Sequence, residues 1–67
     1  TMSFKYMIEV KKDKSTFETK VTDTLPKARE FASRSSMIGD LVVITEGYEA
    51  SDGHFDTYDH VASWCVE

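Results

Sequence analysis

The sequence predicts an α+β domain of ββαββ order, in which one helix packs on one face of an antiparallel sheet. Three observations predict this fold. Apolar and polar residues alternate in two early segments, apolar residues recur at helical spacing mid-chain, and two further strand-like segments flank the turn signal Asp52-Gly53. The last two strands would form a long C-terminal hairpin. A chain of 67 residues is expected to form a single domain, residues 1–67.

The first two strands are predicted from period-two alternation. One face of the first strand comprises Phe4, Tyr6, Ile8 and Val10. Charged residues 11–14 interrupt the pattern, and alternation resumes from Thr16 to Val21. Two strands joined by about four polar residues are typical of an antiparallel hairpin.

A helix is predicted next. Residues 22–24 supply capping side chains, and Pro26 is tolerated in a first turn, where N–H groups lack helical partners. The apolar face predicted for the helix comprises Leu25, Ala28, Phe31 and Ala32. Gly39 marks the turn into the third strand.

The third strand is apolar on both faces, because it contains the run Leu41, Val42, Val43 and Ile44. One helix covers only one face of a sheet. We therefore expect this strand to be central and its far face to be covered by something else, for which a second copy of the protein is the candidate. Trp64 and Val66 are expected beside Leu41 and Val43 on that face. This interpretation favours a homodimer.

Asp52-Gly53 predicts a two-residue type I′ turn, since both residues tolerate a positive φ. Reading outward, Ile44 then faces Val61 and Leu41 faces Trp64. The root of the hairpin is apolar, whereas its outer half, residues 45–60, is polar, acidic and aromatic. Such a hairpin indicates an arm that grips another molecule.

The same register places Glu49 opposite Asp56, and Glu46 opposite Asp59. Like charges directly across a ladder destabilise a sheet by a few tenths to about 1 kcal/mol for each pair. Three explanations stay open. A basic partner neutralises the carboxylates, a metal ion does so, or Gly47 bulges the strand and the pairs do not form.

Charge is unevenly distributed along the chain. Residues 1–34 carry eight Lys and Arg against five Asp and Glu, whereas residues 35–67 carry seven acidic residues and no Lys or Arg. The acidic hairpin would repel a free nucleic acid and attract a basic protein groove. The predicted helix carries three cations, Lys27, Arg29 and Arg34, so direct nucleic-acid binding stays open as the weaker hypothesis.

Tyrosines interleave with the acidic residues of the hairpin, as is typical of a protein-binding surface, where aromatic rings supply contact area and acids supply steering. The predicted partner-binding residues are Glu46, Tyr48, Glu49, Asp52, Asp56, Tyr58 and Asp59.

The hairpin also contains candidate metal ligands. On a regular strand one face would present His54, Asp56, Tyr58 and His60, with Glu49 across from Asp56. Imidazole and carboxylate groups could hold a divalent ion such as zinc. Their spacing matches no defined metal motif, so no metal site and no cofactor is predicted.

No enzyme is predicted, because the sequence contains neither a nucleophile elbow nor a phosphate-binding glycine loop. Cys65 and His60 are expected on opposite faces of one strand, and Cys65 is interpreted as a buried apolar residue. A single cysteine excludes an internal disulfide and favours a reducing compartment, the cytoplasm. No apolar run approaches the roughly 18 residues that span a bilayer. Thr1 is interpreted as a cloning remnant before a natural start at Met2.

Residues 24–34 read Thr-Leu-Pro-Lys-Ala-Arg-Glu-Phe-Ala-Ser-Arg. This segment is similar to the Ser-Leu-x-x-Ala-Lys-x-x-Ala-Ser-Lys helix of one type I-F anti-CRISPR family, and the strands at residues 6–10 and 64–66 fall at comparable positions. Phage inhibitors of bacterial RNA polymerase share a related plan. The resemblance implies a small phage-encoded ββαββ or ββαβ inhibitor that binds host machinery in the host cytoplasm. The uniformly acidic second half departs from the pattern, so no functional residue is transferred.

The leading hypothesis is a small non-enzymatic inhibitory protein, phage-encoded, whose acidic hairpin blocks a basic, nucleic-acid-binding surface of a host protein. Two alternatives stay open. One is a structural or regulatory homodimer that uses its apolar strand faces, and the other is a small protein that binds a divalent metal.

Overall fold

The computed structural model describes residues 4–13 and 17–67, without the side chain of Phe17. Its elements are β1 (Lys5–Lys11), β2 (Phe17–Thr22), α1 (Leu25–Ser35), β3 (Leu41–Glu49) and β4 (Phe55–Cys65). This order confirms the predicted ββαββ fold class. Thr1 with its interpretation as a cloning remnant, the start at Met2 and the first predicted residue of the second strand, Thr16, lie outside the described residues.

The four strands form one antiparallel sheet in the order β2-β1-β3-β4. The central position predicted for the third strand is therefore confirmed. In β1, Ile8 pairs with Lys20 on one side and with Ile44 on the other. The two halves of the chain thus lie side by side in the sheet, each contributing two neighbouring strands.

The helix α1 begins and packs as its sequence predicts. The Thr24 hydroxyl accepts a hydrogen bond from the Lys27 amide at 3.3 Å, and Pro26 lies in the first turn. Ala28 and Ala32 are fully buried against the sheet, and Leu25 and Phe31 pack beside them. No helix in residues 4–13 and 17–67 has the length and apolar character needed to cross a membrane.

The hydrophobic core is a single layer between α1 and one face of the sheet. Its fully buried strand residues are Ile8, Val10, Val42 and Ile44. These four side chains come from the central strands β1 and β3, where neighbours on both sides exclude water. A core this thin is expected for a domain of 67 residues, which buries only about 60% of the surface of its unfolded chain.

The connection from α1 to β3 is held by Lys12, which follows β1. Its Nζ donates hydrogen bonds to the Ser35 carbonyl at 2.5 Å and to the Asp40 carboxylate at 2.9 Å. The same Asp40 oxygen accepts a hydrogen bond from the Met37 amide at 2.8 Å. The hydrogen bond from Lys12, followed by that from Met37, holds the pKa of the buried Asp40 carboxyl below its usual range. In the sequence, Lys12 is recognisable only as part of a charged break between two strands.

The observed register corrects the faces predicted for the end of the chain. Leu41 pairs with Cys65, and Trp64 pairs with Val42. Trp64 therefore lies on the helix side, where it is 36% exposed, and Val66 packs against the core. The prediction that Trp64 and Val66 lie beside Leu41 and Val43 is wrong.

No element of the described chain covers the far face of the sheet. Its half-buried apolar side chains are Met7, Val21, Leu41 and Val43. The apolar far face predicted for the third strand is thus present, formed by β1, β2 and β3 together.

Candidate protein-binding site

The tip of the hairpin is a three-residue loop, Ser51 to Gly53. The Ala50 amide donates a hydrogen bond to the His54 carbonyl at 2.7 Å, and the Gly53 amide donates one to the Ala50 carbonyl at 2.9 Å. Gly53 has a φ of 90°, whereas Asp52 has no positive φ. This geometry is a type I turn followed by a glycine bulge, so the predicted type I′ turn is wrong.

The longer loop displaces the register of the outer hairpin by one residue. Glu49 pairs with Phe55, and Asp56 pairs with Tyr48, so the predicted Glu49–Asp56 pair does not form. The predicted pair of Glu46 and Asp59 does form. One of the two expected carboxylate repulsions is therefore present.

Two β-bulges in β4 shift the register further down the hairpin. Tyr58 is the extra residue opposite the Glu46–Gly47 step, and Val61 is the extra residue opposite the Ile44–Thr45 step. The irregularity expected at Gly47 thus occurs beside it, but the additional residue belongs to the partner strand. Each bulge reverses the faces of the residues that follow, so the two reversals cancel beyond Val61, and Trp64 lies on the same side as Asp56, the helix side.

Gly47 permits an unusually close approach of β3 and β4. A Cβ atom at this position would overlap the Asp56 carbonyl oxygen and lie 2.8 Å from Cε2 of Phe55. The glycine is required here by the space between two strands and not by a positive φ.

Three aromatic rings form a cluster next to the hairpin. The Phe4 ring stacks on Tyr48 with centroids 5.5 Å apart, and its centroid lies 5.0 Å from that of Tyr58. Phe4 is 43% exposed and Tyr58 is 64% exposed. The sequence predicted Phe4 on the core face of the first strand. Its ring does lie on that side of the sheet, but it contacts the hairpin and not the buried core.

Carboxylates border this aromatic cluster. Glu46 accepts a hydrogen bond from the Tyr6 hydroxyl at 3.2 Å, and this bond to a carboxylate raises the pKa of the Tyr6 hydroxyl. Asp59 lies across from Glu46 and accepts a hydrogen bond from the His60 amide at 2.9 Å. The carboxylates are thus oriented by hydrogen bonds and remain next to exposed aromatic rings.

The structure brings five of the seven predicted partner-binding residues to the helix side of the hairpin. Together with Phe4 they form a surface, here called the acidic–aromatic surface, consisting of Phe4, Glu46, Tyr48, Asp56, Tyr58 and Asp59. Phe4 was missed because its contact with the hairpin joins residues far apart in the sequence.

The other two predicted partner-binding residues lie elsewhere. Glu49 is on the far face, where its carboxylate is 3.7 Å from the Lys5 ammonium, which is also 3.5 Å from Asp23. Asp52 is in the tip loop, and its carboxylate accepts a hydrogen bond from the His54 amide at 2.9 Å. Asp52 therefore has a structural role as a turn residue.

The candidate metal ligands do not converge. His54 Nε2 lies 3.3 Å from Asp56 Oδ1, but His60 pairs with Thr45 on the opposite face because of the Tyr58 bulge. Across residues 4–13 and 17–67, no three His, Cys, Asp or Glu side chains are grouped so that they could hold a metal ion. The expectation that His54, Asp56, Tyr58 and His60 share a face is therefore wrong for His60.

Two expectations about Cys65 are also wrong. Its thiol is free and exposed, not buried. The Val61 bulge places Cys65 and His60 on the same face, but their β3 partners, Leu41 and Thr45, are four residues apart. Four residues of strand span about 13 Å, so the two side chains do not form a dyad.

Comparison with protein-family models, curated proteins and solved structures finds no match to this chain. The geometry and charge of the acidic–aromatic surface are therefore the basis on which a function is assigned.

Proposed function

We propose that the protein is a non-enzymatic inhibitory binding protein whose acidic–aromatic surface occupies a basic, nucleic-acid-binding surface of another protein. One observation carries this proposal. Three carboxylates, Glu46, Asp56 and Asp59, border exposed aromatic rings, and no Lys or Arg of the described chain forms an ion pair with them. Their charge is available to a cationic partner.

The chemistry of the surface supports protein binding. Tyrosine and phenylalanine rings supply contact area with few rotatable bonds, and the carboxylates attract cationic partners and orient their approach. The opposed pair of Glu46 and Asp59 costs the free protein a few tenths to about 1 kcal/mol. A cation placed between these two carboxylates would remove that repulsion and so add to the binding free energy.

The similarity of residues 24–34 to an anti-CRISPR helix supports bacterial nucleic-acid machinery as the class of target. Within this proposal the protein is phage-encoded, acts in the host cytoplasm and competes with the nucleic acid for its site.

The test is an affinity capture from bacterial lysate with the wild-type chain and with a triple variant, Glu46→Lys, Asp56→Lys and Asp59→Lys. We expect the wild type to retain a nucleic-acid-binding protein, the triple variant to lose it, and added nucleic acid to displace it. Bound proteins are identified by mass spectrometry.

A second triple variant, Glu18→Lys, Glu30→Lys and Glu67→Lys, is the matched control. It changes the net charge equally, at exposed positions outside the hairpin. Circular dichroism verifies that both variants are folded. If the hairpin variant captures the same protein as the wild type, the acidic hairpin is not the interface and the proposal is wrong.

The uncovered far face favours a second candidate, a structural or regulatory homodimer. Met7 pairs with Val21 there, and Val43 lies diagonally across from Met7, next to Glu9; the three apolar side chains are half-buried and without a covering layer in the described chain. Sedimentation at high protein concentration tests it, with Val43→Lys as the dissociating variant. A dimer that persists at high salt and is lost in Val43→Lys would favour the homodimer. A wild-type chain that sediments as a monomer would exclude the homodimer.

A further inference from the structure

The two edges of the sheet differ in regularity. β4 is interrupted by two bulges, which hinder pairing with another strand. β2 pairs with β1 without a register shift from Thr22 to Phe17, and no strand of the described chain pairs with its outer edge. The backbone N–H and C=O groups along that outer edge are therefore regularly spaced and available to an added strand.

A groove of about 450 Å³ lies between this edge strand and α1. Its lining residues are Lys20, Thr22, Lys27, Glu30, Phe31 and Arg34. Three of these side chains are cationic and one is anionic. Glu30 lies 3.8 Å from Arg34, so part of the Arg34 charge is matched within the helix, whereas no ion pair from Lys20 or Lys27 is formed within the described chain.

The groove and the strand edge are geometrically linked. Lys20 and Thr22 pair with Ile8 and Tyr6, whose side chains face α1. A strand added to β2 would follow the same pleat, and every second side chain would point toward the groove. The half-buried ring of Phe31, which follows Lys27 by one turn of α1, offers an apolar contact in the groove.

We propose that β2 and this groove bind an extended acidic segment of a partner protein by strand addition. The backbone of the segment extends the sheet at β2, its carboxylates contact Lys20 and Lys27, and an apolar side chain packs on Phe31. Charge complementarity selects an acidic segment. The backbone groups of β2 select a peptide over a nucleic acid, which cannot continue the ladder.

The site lies at the edge of the sheet opposite β4, so it is independent of the function proposed for the acidic–aromatic surface.

The probe is the synthetic peptide acetyl-(Val-Glu)3-amide, titrated into the full chain and followed by NMR. We expect amide shift changes confined to β2 and α1, and slower hydrogen exchange at the outward-facing amides of β2. The double variant Lys20→Glu, Lys27→Glu should lower the affinity about tenfold or more. Lys11→Glu, Arg29→Glu is the matched control, since it changes the net charge equally at two exposed residues that do not line the groove, and it should change the affinity by less than about twofold.

Several results would overturn the proposal. They are shift changes on the far face or on β4, equal binding of the charge-inverted peptide acetyl-(Val-Lys)3-amide, and an unchanged affinity in the double variant. Tighter binding of a ten-residue oligothymidylate than of the acidic peptide would assign the groove to nucleic acid instead. If the double variant does not fold, Lys20→Gln, Lys27→Gln takes its place under the same criteria.

Discussion

Gly47 shows how one residue can control the hairpin. It lies where the backbones of β3 and β4 approach too closely for any Cβ atom, next to the bulge residue Tyr58. Its φ is not positive, so the constraint comes entirely from the neighbouring strand. The sequence drew attention to Gly47 as a glycine within a strand, but the atoms that exclude a side chain belong to Phe55 and Asp56.

Gly47→Ala should destabilise the protein by at least about 2 kcal/mol, because the added methyl group must displace backbone atoms of β4. Urea unfolding measures the loss. Gly53→Asn is the control, since Gly53 has a φ of 90° with no atom within 4 Å of where a Cβ would lie, and asparagine tolerates that backbone conformation. Its cost should be about 1 kcal/mol or less. Equal losses in the two variants would contradict the close-approach explanation.

Asp40 gives the protein a pH-dependent contribution to stability. Hydrogen bonds from Lys12 and Met37 lower the pKa of its carboxyl in the folded state. A group with a depressed folded pKa binds more protons when unfolded, so its stabilisation is complete above the unfolded pKa of about 3.9. That stabilisation is lost as the pH falls through the lower, folded pKa.

The melting temperature of Asp40→Asn should therefore lie below that of the wild type at pH 7. The difference between the two melting temperatures should become smaller only below about pH 4. Thermal unfolding of both proteins from pH 7 to pH 3 measures it. A gap of constant size across this range would show that the ionised Asp40 carboxylate does not contribute.

At the scale of elements, α1 and β4 relate differently to their sequences. The start of α1 is specified locally, by the Thr24 cap and Pro26, and the structure matches the prediction. The faces of β4 depend on the bulges at Tyr58 and Val61, which arise from its fit to β3. A helix can therefore be predicted from neighbouring residues, whereas the register of this hairpin cannot.

The opposed carboxylates of β3 and β4 make a prediction at this scale. Asp59→Asn should raise the free energy of unfolding by a few tenths to about 1 kcal/mol, because it removes the repulsion from Glu46. The asparagine oxygen can still accept the hydrogen bond from the His60 amide. Asp52→Asn, which makes the same chemical change in the tip loop, should be nearly neutral in urea unfolding. A destabilised Asp59→Asn would mean that this carboxylate is already compensated in the free protein.

At the scale of the whole molecule, the order of the strands keeps the basic and acidic halves of the chain on different parts of the sheet. The basic half of the chain forms β1, β2 and α1, and the acidic half forms β3 and β4. Because the order is β2-β1-β3-β4, the two halves are adjacent and not interleaved. The cationic groove and the acidic–aromatic surface consequently lie toward opposite edges of a molecule that measures 38 × 24 × 17 Å.

This charge separation predicts salt-dependent binding of cations at the hairpin. A hexa-arginine peptide should shift the amides of β4, and its affinity should fall about tenfold between roughly 20 and 200 mM NaCl, since exposed charges are screened over that range. NMR titration measures both effects. The variant Glu46→Lys, Asp56→Lys, Asp59→Lys should abolish the β4 shifts. An affinity that does not change with salt concentration would argue against electrostatic attraction at this surface.

The sequence determined the features that depend on near neighbours. Alternation predicted the strands, Thr24 and Pro26 predicted the start of the helix, and the acidic second half predicted the sign of the hairpin surface. Five of the seven predicted partner-binding residues share one side of the hairpin, as an alternating pattern allows.

Tertiary structure decided the features that join distant residues. The contact of Lys12 with Asp40, that of Phe4 with Tyr58, and the placement of Trp64 on the helix side were not predicted. Strand register is chosen by how both faces of a hairpin pack, and a slip of one residue reverses every side chain beyond it. Asp52-Gly53 marked the turn, but the fit between β3 and β4 determined its length, its register and therefore which residues form the site.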